Sequence, residues 1–309
     1  MPENNAYIIE THNLNFCFNG KGMILKDINL KVERGSIYGF LGPNGAGKTT
    51  TIRILLGLLR DTKKSVRLFN KNLSENRIEV YSKTGALIEQ PSLYEHISGY
   101  DNLEITRKIR NIKKERLVET LELVRLSSAA HKKVKEYSLG MKQRLGIANA
   151  LIAEPELLIL DEPVNGLDPN GMAEMRELLR RINRELNTTI FLSSHLLGEI
   201  EKIVTHVGII NMGEMLFQGT IEELINVETN SAEEVIIKMN NNKKAAQLLE
   251  NFNVYECEDG LKIMIHSKQQ VPQIIKALIE NNIDVYEVIN EGKNLKKLFL
   301  KMTENYIVS

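Results

Sequence analysis

Between Gly39 and Thr50 the chain reads GFLGPNGAGKTT, an apolar stretch that breaks into glycines and then presents Lys48 and Thr49. Gly42, Gly47, Lys48 and Thr49 stand at the spacing of a phosphate-binding loop, with Pro43, Asn44, Gly45 and Ala46 filling the turn between them. Glycine-rich backbone turns successive N–H groups inward as a concave nest for an anion, and a following helix adds the positive end of its dipole. In that setting Lys48 pairs with the β- and γ-phosphate oxygens of a nucleoside triphosphate, while the hydroxyl of Thr49, followed by Thr50, holds Mg²⁺. A glycine-rich turn without ligand would not account for the full motif in its strand-to-helix setting.

A second stretch with chemistry, LLILDEP (Leu157 to Pro163), ends a run of aliphatics in Asp161-Glu162. Buried strands ending in acids are common. Downstream of a phosphate loop, however, the pattern predicts one carboxylate, Asp161, on the metal side and the next, Glu162, free to act on water as general base. His195 closes the apolar run TTIFLSSH after Ser193-Ser194. It reads either as a satisfied surface histidine or as a donor beside Glu162, near the γ-phosphate where charge develops. Ser138-Leu139-Gly140 opens a helical pattern with Leu145, Ala148 and Ile152 on one side and Pro155 after it. Ser138 is therefore open to two readings, an N-cap or part of a second anion site.

These groups need rigid supports, and the patterning supplies them. Residues 7–41 read as strands, YIIETHNLNFCF and ILKDINLKVERGSIYGFL, around a turn at Asn19-Gly20-Lys21-Gly22. Ile52, Leu55, Leu56 and Leu59 give the segment after Thr50 the spacing of a helix with one buried face. Strands follow at Ser65 to Asn70 and Gly85 to Pro91, then a charged helical subdomain at about 92–155. GIINMGEMLFQGT reads as a hairpin around Gly213, and Thr220-x-x-Glu223 as a capping box. Two strands thus carry chemistry at their carboxyl ends, where open parallel sheets bind ligands.

A polar stretch at Val227 to Glu233 reads as a linker between domains 1–226 and 227–309. Beyond it come strand (Val235 to Met239), helix (Lys243 to Phe252), strand (Val254 to Cys257), a turn at Asp259-Gly260, strand (Leu261 to Ile265), helix (Val271 to Glu280) and strand (Ile283 to Ile289). That β-α-β-β-α-β order predicts a ferredoxin-like α+β domain, followed by a helix with Leu295, Leu298, Phe299 and Met302 at helical spacing.

At 309 residues the length suits about two domains. Forty basic and forty acidic residues leave no net charge, which argues against a nucleic-acid partner. Cys17 and Cys257 lack the spacing of a metal site or a disulfide framework and suit a reducing compartment. The start, MPENNAYIIE, lacks the pattern of a secretion signal, and no apolar run approaches a membrane span, so a cytoplasmic chain is expected unless a partner recruits it.

From residue 7 to about 225 the chain resembles the nucleotide-binding subunit of an ATP-binding cassette (ABC) transporter. GPNGAGKTT resembles that family's first motif and LLILDEP its second; Tyr137 to Arg144 (YSLGMKQR) resembles its signature, and NGLDP (Asn165 to Pro169), which contains Asp168, its D-loop. The resemblance implies a P-loop NTPase fold in a head-to-tail homodimer. ATP would lie between Lys48 and Thr49 of one copy and Ser138 and Gly140 of the other, with Phe18 stacked on adenine and His195 as the switch histidine. Leu139 stands where the family has glycine. Glu89, not Gln90, stands at the family's Q-loop glutamine, where a carboxylate ligates Mg²⁺ well but repels the γ-phosphate.

The family docks integral membrane permease subunits beside the Q-loop, which here implicates Glu89, Leu93, Tyr94, Ile97 and Tyr100, or else these apolar residues belong to the core. Glu89 resembles the variant in ATPases of lantibiotic self-immunity and bacitracin-resistance exporters, and the tail Asn294 to Thr303 resembles that of drug and peptide exporters with a separate permease. The resemblance therefore implies export of an antimicrobial peptide by a subunit held at the inner face of the membrane. Export of another drug, a lipid or a polysaccharide, and a soluble cassette ATPase outside transport, are the competing readings. Against the last stand a single phosphate loop and neutral charge, and against a module without turnover stand Glu162 and His195.

Overall fold

The computed structural model describes residues 6–18, 22–61, 63–226, 233–257, 260–265, 267, 269–291, 299 and 302. Its contacts divide the chain into two units, Met1–Ile221 and Glu222–Ser309.

The first unit is built on a six-stranded sheet in the order Glu214–Thr220, His206–Asn211, Ile37–Leu41, Thr189–Ser194, Leu157–Asp161, Thr84–Leu87. All neighbours are parallel except the hairpin pair Glu214–Thr220 with His206–Asn211. The central strands Ile37–Leu41, Leu157–Asp161 and Thr189–Ser194 are buried at every residue, which explains why they read as continuous apolar runs rather than alternating ones. Thr189–Ser194 lies between the other two, so three carboxyl ends that are remote in sequence become adjacent.

A four-stranded antiparallel sheet (Lys31–Glu33, Tyr7–Thr11, Val66–Leu68, Lys71–Asn72) and the pair Leu14–Cys17 with Met23–Ile28 complete the strand-rich part. The two long strands expected in 7–41 are five short ones, because Asn13, Asp27 and Gly35 adopt positive φ at 47°, 53° and 75° and turn the chain. Asn19 to Lys21 of the expected turn lie outside the described residues.

The helix after the phosphate loop spans only Lys48–Leu55. Gly57 ends it at φ +64°, and the Tyr81 hydroxyl donates to the Leu56 carbonyl at 2.9 Å, satisfying one of the end's free acceptors. Ile54 is as buried as Ile52 and Leu55, so the helix is wrapped by core beyond the expected stripe.

Gly99–Ile109, Lys114–Leu123 and Leu139–Leu151 form the helical subdomain. The buried Asn102 amide accepts from Tyr94 N at 2.8 Å and donates to the carbonyls of Tyr94 (3.0 Å) and Ser98 (2.9 Å), which fixes the loop entering it. Leu93, Ile97 and Tyr100 are half-buried and Tyr94 is exposed, so none of the four is a fully buried core residue.

The second unit holds strands Glu233–Met239, Val254–Cys257, Gly260–Ile265 and Val285–Glu291 with helices Asn242–Leu248 and Gln270–Glu280. The sheet order is Val254–Cys257, Gly260–Ile265, Glu233–Met239, Val285–Glu291, antiparallel throughout. Val235, Ile237, Leu261, Ile263, Ile265, Ile274 and Leu278 form its core. Gly260, at φ +140°, lies so close to the Ile237 carbonyl that a Cβ would stand 2.4 Å from that oxygen. Of the expected linker, 227–232 lie outside the described residues, as do Asp259 and most of the terminal helix; Phe299 and Met302 are helical. Among the described residues no helix is long and apolar enough to cross a membrane.

Candidate active site

The phosphate loop owes its shape to contacts that exclude side chains. A Cβ at Gly42 would stand 2.4 Å from the Ile210 carbonyl, and one at Gly47 (φ +110°) 2.6 Å from Leu25 Cδ2. The loop is tied to the Met212-Gly213 turn through Gly213 N donating to Ala46 O at 3.0 Å, and Lys26 N donates to Gly213 O at 2.8 Å. Lys48 is almost wholly buried; its ammonium donates to the carbonyls of Gly42 (2.8 Å) and Pro43 (3.2 Å) and lies 3.4 Å from Glu162 Oε1.

The sheet order brings the acids to this ammonium. Ser193, on the strand between, has one hydroxyl that donates to Asp161 Oδ1 and accepts from Glu162 N at 2.9 Å, so a single side chain sets both acids. Glu162 leaves the strand at φ +50°, a left-handed conformation unusual for a residue with a side chain, and this turn aims its carboxylate back at the loop. Glu162 Oε2 meets His195 Nδ1 at 2.9 Å. Lys48, Glu162 and His195 therefore form one connected chain, which sets His195 beside Glu162 as the second of its two readings requires.

Asn44, Gly45, Gly47, Lys48, Thr49, Thr50 and Glu162 line an open cleft of about 490 Å³. Its apolar wall is Met23, Ile24 and Met212, residues that carry no sequence motif; Met23 opens the strand Met23–Ile28 and Met212 lies in the turn after His206–Asn211, both exposed. Phe18 is not in that lining. It stands just past the strand Leu14–Cys17, edge-on to Phe16 with ring centroids 5.0 Å apart.

A second cavity of about 290 Å³ is lined by Thr49, Glu89, Gln90, Leu139, Gln143, Asp161, Glu162, Asn165 and Gly166. Glu89, at φ +57° and largely exposed, pairs with Arg53 of the phosphate-loop helix. That contact was not legible in the sequence. The Thr49 hydroxyl and the Asp161 carboxylate share this cavity, and hard oxygens of this kind suit Mg²⁺. Among the described residues no group of three or more His, Cys, Asp or Glu forms a metal cage.

Ser138 caps the helix Leu139–Leu151, accepting from Met141 N at 3.3 Å, and Asp168 caps Pro169–Leu186, accepting from Gly171 N at 2.8 Å. Neither lines the phosphate cleft of its own chain. The loop before Ser138 is anchored by Tyr137, whose hydroxyl donates to Ala129 O at 2.7 Å and whose ionisation burial pushes up. Leu139, where glycine was expected, packs at Gly166: a Cβ there would stand 3.2 Å from Leu139 Cδ2.

A phosphate loop feeding a helix, two acids on the next-but-one strand and a helical insertion between them define a P-loop ATPase of the cassette type. The sequence model of the ABC transporter family matches residues 25–165, and the chain belongs to the ATP-binding subunits of ABC transporters, as an ATP-hydrolysing enzyme. It is 42% identical over 301 residues to the bacitracin transport ATP-binding protein BcrA of Bacillus licheniformis, covering 96% of this chain and 97% of that one. The lantibiotic transport ATP-binding protein SrtF of Streptococcus pyogenes is 39% identical over 209 residues, 68% of this chain and 90% of its own. Among solved structures, cbiO1 from Clostridium perfringens, part of the cbiONQ ABC transporter complex, superposes with TM-score 0.64 at 27% identity, covering 73% of this chain and 95% of that one.

Proposed function

We propose that the chain powers the export of an antimicrobial peptide through a separate membrane permease, acting as a head-to-tail homodimer at the inner face of the membrane. The observation that carries the chemistry is the Lys48–Glu162–His195 chain at the mouth of the phosphate loop. Lys48 and loop amides between Asn44 and Thr50 bind the β- and γ-phosphates, and Glu162 takes the proton of the attacking water while His195 holds its carboxylate. Thr49 and Asp161 would hold Mg²⁺, which would supply positive charge to offset that of the phosphates. Ser138 and Gly140 of one copy, at an exposed helix N-terminus, face the nucleotide of the other.

Similarity to bacitracin and lantibiotic transport subunits over most of the chain supports the cargo. Residues 227–309 serve as a ferredoxin-like accessory domain apart from the ATP motifs. The test is to express the chain with its neighbouring permease genes in a sensitive host. Resistance to bacitracin or to a lantibiotic should appear and should vanish with Glu162→Gln. Unchanged sensitivity to both classes, with ATPase intact, would overturn the cargo.

Glu89 is proposed to serve coupling rather than metal binding, because its carboxylate is turned to Arg53 and Thr49 and Asp161 already offer oxygens. An exposed pair contributes about 0–1 kcal/mol, so Glu89→Ala should fold normally. We expect its isolated ATPase rate to fall by no more than about fivefold, the factor equivalent to 1 kcal/mol, while resistance in cells is lost. Parallel loss of both activities with a raised Mg²⁺ requirement would return Glu89 to the metal.

A further inference from the structure

Gln143 is 4% exposed, and its side-chain carbonyl Oε1 is buried without a hydrogen-bond partner. Such an orphan carries an uncompensated desolvation cost and calls for a donor at some stage of the protein's cycle. Gln143 lines the 290 Å³ cavity together with Thr49, Asp161 and Glu162. The donor-bearing amides on the same walls are Gln90 and Asn165.

The packing favours Gln90. The strand Thr84–Leu87 and the loop that follows lie along the helix of Gln143 at successive close approaches. A Cβ at Gly85 would stand 2.3 Å from the Ala150 carbonyl, and one at Gly146 would stand 2.7 Å from Pro91 Cβ and 3.1 Å from Leu87 Cδ1. Past Pro91, Glu95 forms an ion pair with Lys142. Gln143 thus sits between two stations, Lys142 and Gly146, at which this loop is pinned to the helix. Asn165 belongs instead to the turn that meets the helix at its start, through Gly166 against Leu139. Glu89, the loop's other polar side chain at the cavity, is turned to Arg53 and donates nothing.

We propose that Gln143 is a positioning residue of the ATPase: during the ATP cycle its buried carbonyl accepts a hydrogen bond from the side-chain amide of Gln90. That bond fixes the loop 88–91 as the wall of the cavity in which Thr49, Asp161 and Glu162 stand. The proposal rests on the ATPase reading of those three residues, and it fails separately from it, since Glu162→Gln tests that reading alone.

The experiment is steady-state ATP hydrolysis by the full chain carrying Gln143→Met, Gln90→Met or both, changes that keep side-chain length and remove acceptor or donor. Each single variant should lower kcat about tenfold with KM for ATP within about twofold, and the double variant should be no slower than either. The nucleotide-free Tm of Gln143→Met should not fall, because an orphan acceptor is replaced by an apolar group. Losses that multiply in the double variant would overturn the proposal, as would a Gln143→Met protein with a lowered Tm and the parent kcat. Non-additivity of Gln143→Met with Asn165→Leu in place of Gln90→Met would also overturn it. Should Gln143→Met fail to fold, Gln90→Met at its exposed position decides: the parent kcat there overturns the proposal.

Discussion

Glu162→Gln is expected to lower kcat by about 10²–10⁴-fold, the range of a lost general base, while ATP stays bound. The geometry supports a clean exchange. Oε1 faces the Lys48 ammonium at 3.4 Å and Oε2 meets His195 Nδ1 at 2.9 Å. In the amide, the retained oxygen stays toward Lys48, since an NH₂ group there would set donor against donor, and the NH₂ turns to a ring nitrogen able to accept. The backbone N–H keeps its bond to Ser193, so the turn at φ +50° is not released. Shape survives and the proton acceptor is lost. Rapid-quench turnover and nucleotide retention through size-exclusion chromatography check this, with a persistent ATP-bound dimer as the expected species. A variant hydrolysing within tenfold of the parent would take Glu162 out of the base role.

Lys48→Ala is expected to remove both ATP affinity and turnover, with a loss of at least about 10²–10³-fold, as for other groups that stabilise charge at a transition state. Its ammonium is the cation that two loop carbonyls and Glu162 share. Without it, the mouth of the loop presents carbonyl oxygens and the carboxylates of Glu162 and Asp161 to an incoming triphosphate. The loop's N–H groups and the helix dipole then face that repulsion without their cation. Lys48→Arg should not restore activity, because a planar guanidinium does not fit the buried channel of an extended ammonium chain. Equilibrium dialysis with ATP measures the affinity, and unchanged binding would remove the phosphate loop from the site.

Chemistry that depends on local spacing was open to reading in the residues themselves. The loop Gly42 to Thr49 needs glycine where backbone approaches backbone, and Asp161-Glu162 needs an aliphatic strand beneath it; both requirements are written within a few residues. Ser138 at a helix start belongs to the same class, because a cap bonds an N–H only three residues on. The early helix is shorter than its spacing predicts, since apolar residues continue at helical intervals to Leu59 while Gly57 ends the helix at Leu55.

What tertiary structure alone decided is which of these pieces meet. Strand order is a non-local property, and nothing in TTIFLSSH says that its strand lies between the phosphate-loop strand and the acid strand. Yet that placement is what puts Ser193 against both acids and His195 against Glu162. The same holds for Arg53 with Glu89, for Met23 and Met212 at the cleft, and for the buried carbonyl of Gln143. Each depends on chain segments brought together by burial of a shared apolar core, and hydrophobic burial is non-directional. It leaves in the sequence a record of which residues go inside, and no record of which neighbours they find there.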